Sequence, residues 1–230
     1  TFRGEIVGSG KAAVLGGIAG QNQGVIINCG NRGGKIEAVE LDKGVKGENL
    51  GGIAGQISKG SDGKGNYIVN CYSWIERVAS NNNNIGGIVG SGSYGAGIEN
   101  CGNSGAITSK DSTGGIMGSG SVPITACYNT GTITGPSRTA GIVSIANDTA
   151  SAIVKNCYNT GKIVSVSTST NPACGTIAGT IANSNGDPIG SVENCYFLKG
   201  TYSYTSGSTI HTDEMVGYPL DKGEANCKLA

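Results

Sequence analysis

The sequence is poor in aromatic and charged side chains, and it has no long apolar stretch. Aromatic residues make up 5% and charged residues 14% of the 230 residues, with one Trp and one His. So few bulky side chains are not expected to fill the core of a conventional two-layer domain. No apolar run approaches the ~18–20 residues of a membrane-spanning helix, so membrane insertion is not expected.

The charges balance, and no basic surface is predicted. Sixteen Lys and Arg residues offset sixteen Asp and Glu residues, so the formal net charge is zero. Nucleic-acid-binding proteins usually carry a basic patch, and nucleic acid is therefore not an expected partner. Hydrophobic residues still supply 37% of the chain. Disorder is not expected either, because disordered chains combine low hydrophobicity with high net charge.

Glycine is abundant, with 42 residues, and many of these glycines recur in one motif, Gly-Gly-Ile-small-Gly. Clear copies lie at 16–20, 51–55, 86–90 and 114–118, and weaker copies lie at 140–144 and 175–179. Recurrence at a spacing of tens of residues is the signature of a repeat architecture.

Two further motifs alternate with the first in a fixed order. The second is Asn-Cys, with a β-branched residue three positions before the Cys, and Ala126 replaces its Asn in one copy. The third is Asn-x-Gly followed by an aliphatic residue, with good copies at 103–107, 129–133 and 159–163. All three motifs are short β-branched runs bounded by Gly or Asn, which is typical of strands between turns.

The spacing of the motifs predicts an all-β fold. Copies of the second motif are separated by 26 residues (Cys101 to Cys127) to 42 residues (Cys29 to Cys71), enough for three short strands and their turns. We therefore predict a single-stranded parallel β-helix, a right-handed solenoid of about six coils. The coils are expected to stack ~4.8 Å apart through parallel strand pairing.

The chain divides into repeats at 1–200 and a C-terminal capping segment at 201–230. The first residues, 1–6, are interpreted as the tail of a preceding coil, so adjoining domains, a signal and an anchor are expected outside this sequence. In the cap, 212–215 is predicted as a helical turn with Thr212 as its N-cap. Apolar residues after it are expected to cover the open end of the solenoid. They are Met215, Val216, Tyr218 and Leu220.

Most of the cysteines occupy one register of the repeat. They are Cys29, Cys71, Cys101, Cys127, Cys157 and Cys195. Stacking would separate them by about one coil, which is longer than the ~3.5–4.5 Å between the Cβ atoms of a disulfide. No C-x-x-C cluster indicates zinc. We predict a ladder of buried reduced thiols and no metal site, with Cys174 and Cys227 as candidates for a disulfide that joins the tail to the last coil.

The Asn before each Cys has two interpretations. An internal ladder at a bend, with each amide bonded to the next coil, is favoured because Asn tolerates left-handed backbone and stacks well. Under this interpretation Ala126 is a local gap. An exposed polar row is the alternative.

Aromatic residues follow several of the ladder cysteines and should point outward if Cys points inward. The candidate binding row is Tyr72, Trp74, Tyr128, Tyr158 and Tyr196. Such a row can form a platform for sugar rings or a partner surface. Stacking of the rings on each other, which would shield the sheet, is the favoured interpretation of the row.

The sequence contains no convincing catalytic set. Acidic residues are scattered through loops, and the cluster of Glu37, Glu40 and Asp42 has no counterpart on the next coil. His211 is the one His, whereas a His-Glu-x-x-His zinc site needs two. It also lacks a nucleophile and an acid partner. We expect a non-enzymatic protein without a cofactor.

The strings Gly-Gly-Ile-(Ala/Val)-Gly and Asn-Cys-Tyr-Asn-Thr-Gly-x-Ile resemble the GLUG-type repeat of bacterial cell-surface and adhesin-like proteins. The resemblance spans about 15–200 and is best at 128–133 and 158–163, whereas the first two repeats lack Tyr-Asn-Thr. It implies a spacer or adhesive region of a secreted or cell-surface bacterial protein.

The functional expectation is a non-catalytic structural or adhesive module for cell adhesion, extracellular and monomeric. A host glycan or matrix protein is the candidate partner. The alternative is a β-helix domain that binds or degrades polysaccharide. Ice binding through Thr rows ranks last, because no Thr-x-Thr recurs on successive coils.

Overall fold

The structure is a computed structural model. It describes residues 2–9, 13–39, 49–60, 65–75, 77–80, 84–136, 138–146, 152–166, 174–181, 190–198, 200–206, 209–212 and 227–229. Within these ranges the regular elements are β-strands, and no helix occurs. All strand pairs are parallel except one near the C-terminus. The chain is a parallel β-helix, which confirms the predicted fold class.

The strands follow one another in coils. A first strand, β1 (Phe2–Ser9), precedes coil 1, which contains β2 (Val14–Gly16), β3 (Ala19–Asn22), β4 (Ile26–Ile27) and β5 (Gly30–Val39). Coil 2 contains β6 (Asn49–Gly51), β7 (Ala54–Ile57), β8 (Asn66–Val69), β9 (Tyr72–Trp74) and β10 (Arg77–Ser80). Coil 3 contains β11 (Asn84–Gly86), β12 (Val89–Gly92), β13 (Ala96–Glu99), β14 (Gly102–Asn103) and β15 (Ile107–Ser109).

The remaining coils repeat this pattern. Coil 4 contains β16 (Thr113–Gly114), β17 (Met117–Gly120), β18 (Ile124–Thr125), β19 (Tyr128–Asn129) and β20 (Ile133–Gly135). Coil 5 contains β21 (Thr139–Ala140), β22 (Val143–Ala146), β23 (Ala152–Lys155), β24 (Tyr158–Asn159) and β25 (Ile163–Ser165). Coil 6 contains β26 (Ala178–Ile181), β27 (Gly190–Glu193), β28 (Cys195–Phe197) and β29 (Tyr202–Ser206), and β30 (Thr209–Thr212) and β31 (Cys227–Leu229) follow.

Strands at the same position of successive coils pair in register and form four sheets. The long strand β5 joins two ladders into one sheet, because its first half pairs with β9 and its second half with β10. Coils 2 to 5 therefore contain five strands each, so the prediction of three strands per coil was wrong. Two motifs contain a bend between strands: Gly52 and Ile53 of Gly-Gly-Ile separate β6 from β7, and Asn70 and Cys71 separate β8 from β9.

The bend before each ladder Cys lies in left-handed backbone. The Asn residues there have φ between 49° and 56°, and Ala126 adopts a φ of 54° at the same position. Asn enters this region more readily than other residues with a Cβ, because its short side chain can bond locally. The bend turns the chain so that the aliphatic residue two positions before it and the Cys directly after it both face the interior.

The interior contains two hydrophobic clusters. The larger cluster includes the Cys column and the Ile of each Gly-Gly-Ile motif, and the smaller includes the aliphatic residue after each Asn-x-Gly. The Ile column consists of Ile53, Ile88, Ile116, Ile142 and Ile177, all fully buried. Burying one such side chain contributes about 1.5–3 kcal/mol. In the first coil the equivalent Ile18 is 40% exposed.

The Asn residues of the third motif form a buried amide ladder. Asn103 donates to Asn129 and Asn129 donates to Asn159, each over 2.8 Å between Nδ2 and Oδ1. Each amide also donates to the carbonyl two residues further on. Asn31 is buried at the same position in the first coil and donates to the Gly52 carbonyl. The hydrogen bonds among Asn103, Asn129 and Asn159 reduce the cost of burying these amides, whereas Oδ1 of Asn31 has no hydrogen-bond partner among the described residues.

The second Gly of the Gly-Gly-Ile motif lies directly against this ladder in coils 3 to 5, whereas the sixth copy has Thr176 at this position. A Cβ added to Gly87 would lie 2.2 Å from the Gly115 carbonyl oxygen and 2.3 Å from Cγ of Asn103. Equivalent contacts occur at Gly115 with Asn129 and at Gly141 with Asn159. The glycines are therefore required by close packing between the backbone and the buried amides.

The ends of the solenoid carry additional strands. β1 pairs in parallel with β5, as a strand of a preceding coil would. At the other end β29 continues the ladder of β25 with Tyr202 buried, β30 pairs antiparallel with β29, and β31 pairs with β28. Thr212, the predicted N-cap, is the last residue of β30. The rest of the predicted helical turn, and the apolar residues expected to cover the end, lie outside the described residues.

Replacing Cys101 by Lys tests the inward Cys column. Cys101 is fully buried, and an unpaired charge there should destabilise the fold by about 3–5 kcal/mol or prevent folding. Tyr158→Ala changes an exposed ring two coils further on, and this variant should remain folded. Urea unfolding of both variants gives the measurement. Parental stability of C101K would disprove the inward orientation.

Replacing Gly87 by Ala tests the packing of backbone on amide. The added methyl group collides with a carbonyl and with Asn103, so we expect a loss of about 3 kcal/mol. Gly24→Ala is the matched control, because its nearest neighbour would be 3.9 Å away. The midpoint of urea unfolding should fall for G87A alone, and equal midpoints would contradict the proposed packing.

Candidate functional site

One side of the solenoid carries a column of aromatic rings, which we call the aromatic face. It consists of Tyr72, Trp74, Tyr128, Tyr158 and Tyr196, and it follows β9, β14, β19, β24 and β28. The strands pair in register, so Tyr128, Tyr158 and Tyr196 occupy equivalent positions on consecutive coils. Because side chains alternate along a strand, these rings point away from the buried residues on either side of them in sequence, which are Cys and Asn for Tyr128 and Tyr158 and Cys and Phe for Tyr196.

Neighbouring rings on this face contact each other. Tyr128 and Tyr158 are stacked, with centroids 5.2 Å apart and ring planes within 8°. Tyr72 lies 5.6 Å from Trp74 and 6.3 Å from Tyr128. Tyr72 and Tyr128 are two coils apart, and the gap closes because Gly102 occupies the coil between them. A Cβ on Gly102 would lie 2.2 Å from Cζ of Tyr128.

The stacked rings remain accessible to a ligand. Tyr158 is 43%, Tyr196 42% and Trp74 37% exposed, while Tyr72 and Tyr128 are half-buried. Partial burial, together with the neighbouring tyrosines, raises the pKa of Tyr128, so its hydroxyl stays protonated at neutral pH. Self-stacking is observed, and it leaves ring faces and hydroxyls at the surface.

A row of amides runs along one edge of the aromatic face. Asn70 donates to Asn28 over 3.2 Å and Asn100 donates to Asn70 over 2.6 Å, from Nδ2 to Oδ1 in both cases. Asn28 and Asn100 are exposed and Asn70 is half-buried. The prediction of an internal ladder before Cys was therefore wrong in position: these amides do bond from coil to coil, but on the surface. The outward turn of the left-handed bend puts them there.

The internal amide ladder is formed instead by the Asn of Asn-x-Gly, which the sequence reasoning missed. The signal was available: this Asn lies two residues after Cys, so it shares the inward side of the strand. The Asn residues at this position in coils 3 to 5, Asn103, Asn129 and Asn159, are fully buried.

Hydroxyl groups run along the other edge. The x position of Asn-x-Gly holds Ser104, Thr130 and Thr160, which are exposed. The Thr130 hydroxyl donates to the Ser104 hydroxyl over 2.8 Å. The same register position in the first two coils holds Arg32 and Trp74, and the Arg32 guanidinium carbon lies 4.9 Å from the Trp74 ring centroid. Aligning Asn31-Arg32-Gly33 with the other copies would have identified Arg32 as a surface residue of this face.

Two depressions lie on the aromatic face. One, of about 490 Å³, is at the end near coil 1 and includes Arg32, Tyr72 and Trp74 in its lining. The other, of about 250 Å³, lies between Tyr158 and Tyr196. The face therefore offers concave as well as flat surface to a ligand.

The six cysteines of the ladder are free. Each thiol donates to the carbonyl two residues before it, over 3.2 Å for Cys101 to Glu99. The backbone N–H of Cys71 donates to Sγ of Cys101, and that of Cys101 to Sγ of Cys127, over 3.4 Å in both cases. Burial and the hydrogen bonds to neighbouring thiols raise the pKa of Cys127, which keeps that thiol protonated. The column is a structural part of the core.

The structure does not support the predicted disulfide between Cys174 and Cys227, because Cys174 is a free thiol. Cys174 is a free, buried thiol that donates to the Ser165 hydroxyl over 3.1 Å, in the smaller core cluster. Cys227 pairs by its Cα with Cys195, which belongs to the larger cluster. The backbone register thus extends the Cys column by one more residue, and it places Cys227 in a different part of the coil from Cys174.

Among the described residues, no three His, Cys, Asp or Glu side chains converge as metal ligands. His211 lies on β30. In the same part of the chain there is no helix that could cross a membrane.

No protein-family profile, curated protein or solved structure matches this chain. The geometry of the aromatic face therefore carries the functional argument.

Cysteine alkylation of the intact and the unfolded protein tests the state of Cys174. Burial raises the pKa of this thiol, so we expect no modification in the folded state. Unfolding without reductant should make it fully reactive, while half-buried Cys29 should react in the folded protein. Mass spectrometry of the peptides gives the result. If Cys174 reacted only after reduction, the result would support the predicted disulfide instead.

Proposed function

We propose that the chain is a non-catalytic adhesive module of a secreted or cell-surface bacterial protein, and that its aromatic face binds glycan chains. The observation that carries this proposal is the partly exposed column of aromatic rings between a row of amides and a row of hydroxyls. The resemblance of the motifs to GLUG-type repeats supports the cellular setting.

The chemistry of the face suits sugar rings. A pyranose ring has an apolar face of C–H groups and an edge of hydroxyls, so it needs an aromatic surface with polar groups beside it. Tyr and Trp provide an apolar ring with a polar group at its end. Amides such as Asn100 both donate and accept hydrogen bonds, and the hydroxyl of Thr160 does the same. The depression beside Tyr158 and Tyr196 is large enough for part of one sugar ring.

The solenoid holds these groups rigidly. Paired strands fix the spacing of the coils at ~4.8 Å, and the stacking of Tyr128 on Tyr158 restricts both side chains. A preorganised surface loses little conformational entropy on binding. Repetition along the column lets a long glycan contact several rings at once, which raises the avidity above that of a single contact.

The other parts of the proposal follow from an adhesive role. The module is expected outside the cell as part of a longer chain, and it acts as a monomer that extends and displays the face. Its partner is a host or environmental glycan. A matrix protein and a polysaccharide-degrading activity are the competing outcomes, and the experiment below distinguishes them.

Binding of the purified protein to a glycan array tests the proposal, with a Tyr128→Ala/Tyr158→Ala/Tyr196→Ala variant alongside. Losing the ring contacts should weaken glycan binding by about tenfold or more, since each stacking contact contributes about 1 kcal/mol. Thermal unfolding should show that the variant still folds.

The matched control replaces two exposed tyrosines elsewhere, Tyr67→Ala and Tyr94→Ala, which are 45% and 63% exposed. The control should bind like the parent. Equal loss in both variants, or binding only to matrix proteins on a parallel array, would refute the glycan proposal. New reducing ends in the bound glycan would show degradation.

A further inference from the structure

The depression near coil 1 is formed by a missing side chain in the aromatic column. Gly30 pairs with Tyr72 and so occupies the column position in the first coil. A Cβ there would lie 3.3 Å from the Tyr72 carbonyl oxygen and 3.5 Å from the Trp74 ring. Gly30 thus contributes only backbone to the depression, and Tyr72, Trp74, Asn28 and Arg32 line it with their side chains.

Arg32 brings a positive charge to this depression. Its guanidinium stacks over Trp74 at 4.9 Å, which restricts its orientation. Within the described part of the chain, no carboxylate lies within ion-pair distance of Arg32, whereas Lys35, Arg138 and Lys155 all have acidic partners. The N–H donors of the Arg32 guanidinium are thus available to a ligand, and an Arg side chain keeps its charge at any pH relevant to the cell.

The surface amide row adds a donor at the same end. The carbonyl oxygen of Asn28 accepts from Asn70, and Asn70 accepts from Asn100, so the amides are aligned head to tail. The amino group of Asn28 has no hydrogen-bond partner among the described residues. Aligned amides polarise one another, which strengthens the donor at the end of the row. Arg32 and Asn28 thus present cationic and neutral N–H groups to one depression.

We propose that this depression binds an acidic sugar residue, with the sugar ring against Tyr72 and Trp74 and its carboxylate against Arg32 and Asn28. This inference rests on the proposed glycan function and adds the charge of the ligand. A carboxylate fits because a guanidinium binds it through two parallel hydrogen bonds. Trp74 beside the guanidinium provides the flat apolar surface that a sugar ring needs.

The test compares an oligogalacturonate with its methyl ester by isothermal titration calorimetry, using the whole chain. The parent should bind the acid about tenfold more tightly than the ester, because a hydrogen bond to a charged group is stronger than one to a neutral group. The preference should decrease with added salt. Arg32→Gln keeps much of the stem and removes the charge, and it should abolish the preference, while Arg32→Lys should retain part of it.

Arg138→Gln is the matched control, since Arg138 is an exposed Arg paired with Asp111 on another side of the coil. It should leave the preference unchanged. Equal affinity for acid and ester, or a preference that R32Q retains, would overturn the inference while leaving neutral-glycan binding to the tyrosine column intact. A sulfated oligosaccharide that binds more tightly than the uronate would also overturn it. Absence of binding to any glycan, acidic or neutral, would refute both proposals.

Discussion

The structure depends on in-register parallel pairing between successive coils, which places every side chain directly above its counterpart in the previous coil. At ~4.8 Å spacing, a column tolerates only residues that pack well on copies of themselves. Ile and Cys form buried apolar columns, and Asn satisfies its own amide by bonding to the next Asn. Glycine is required where the backbone lies against the amide ladder, as at Gly87. The scarcity of large aromatic side chains follows from this geometry.

Asparagine has two separate roles in the repeat, which occur together in coils 1, 3 and 5, and both depend on the bend before Cys. The Asn in the left-handed bend faces solvent, and the Asn two residues after Cys is buried and bonded to its neighbours. Ala126 shows that the bend survives without the amide, at a φ of 54°. By contrast, the fully buried ladder connects the two hydrophobic clusters, where an unpaired amide would carry the full cost of desolvation. Surface Asn can therefore vary more freely than buried Asn.

The proposed binding properties come from departures from the repeat. Gly102 lets Tyr128 lean toward Tyr72, so a ring contact bridges two coils. Gly30 leaves a depression, and Arg32 occupies a position that Ser or Thr takes in later coils. A perfect repeat would present the same surface on every coil, whereas these substitutions give one end of the face a charge and a concave shape. The regular core holds such changes in place, because outward side chains do not take part in its packing.

The parallel β-helix, its coil positions, the inward Cys column and the outward Tyr positions could be predicted from the amino-acid sequence, because repeated motifs in a fixed order show which residues stack on each other in successive coils. The division of each coil into strands could not be predicted, since only the folded backbone shows that Asn-Cys and the Gly-Ile of Gly-Gly-Ile are bends. The tertiary structure also decided which Asn is buried, and that Cys174 and Cys227 lie in different parts of the coil. The role of Arg32 emerged in the same way, because its contact with Trp74 joins residues 42 positions apart. Such contacts depend on which coil lies beside which, and no local pattern contains that information.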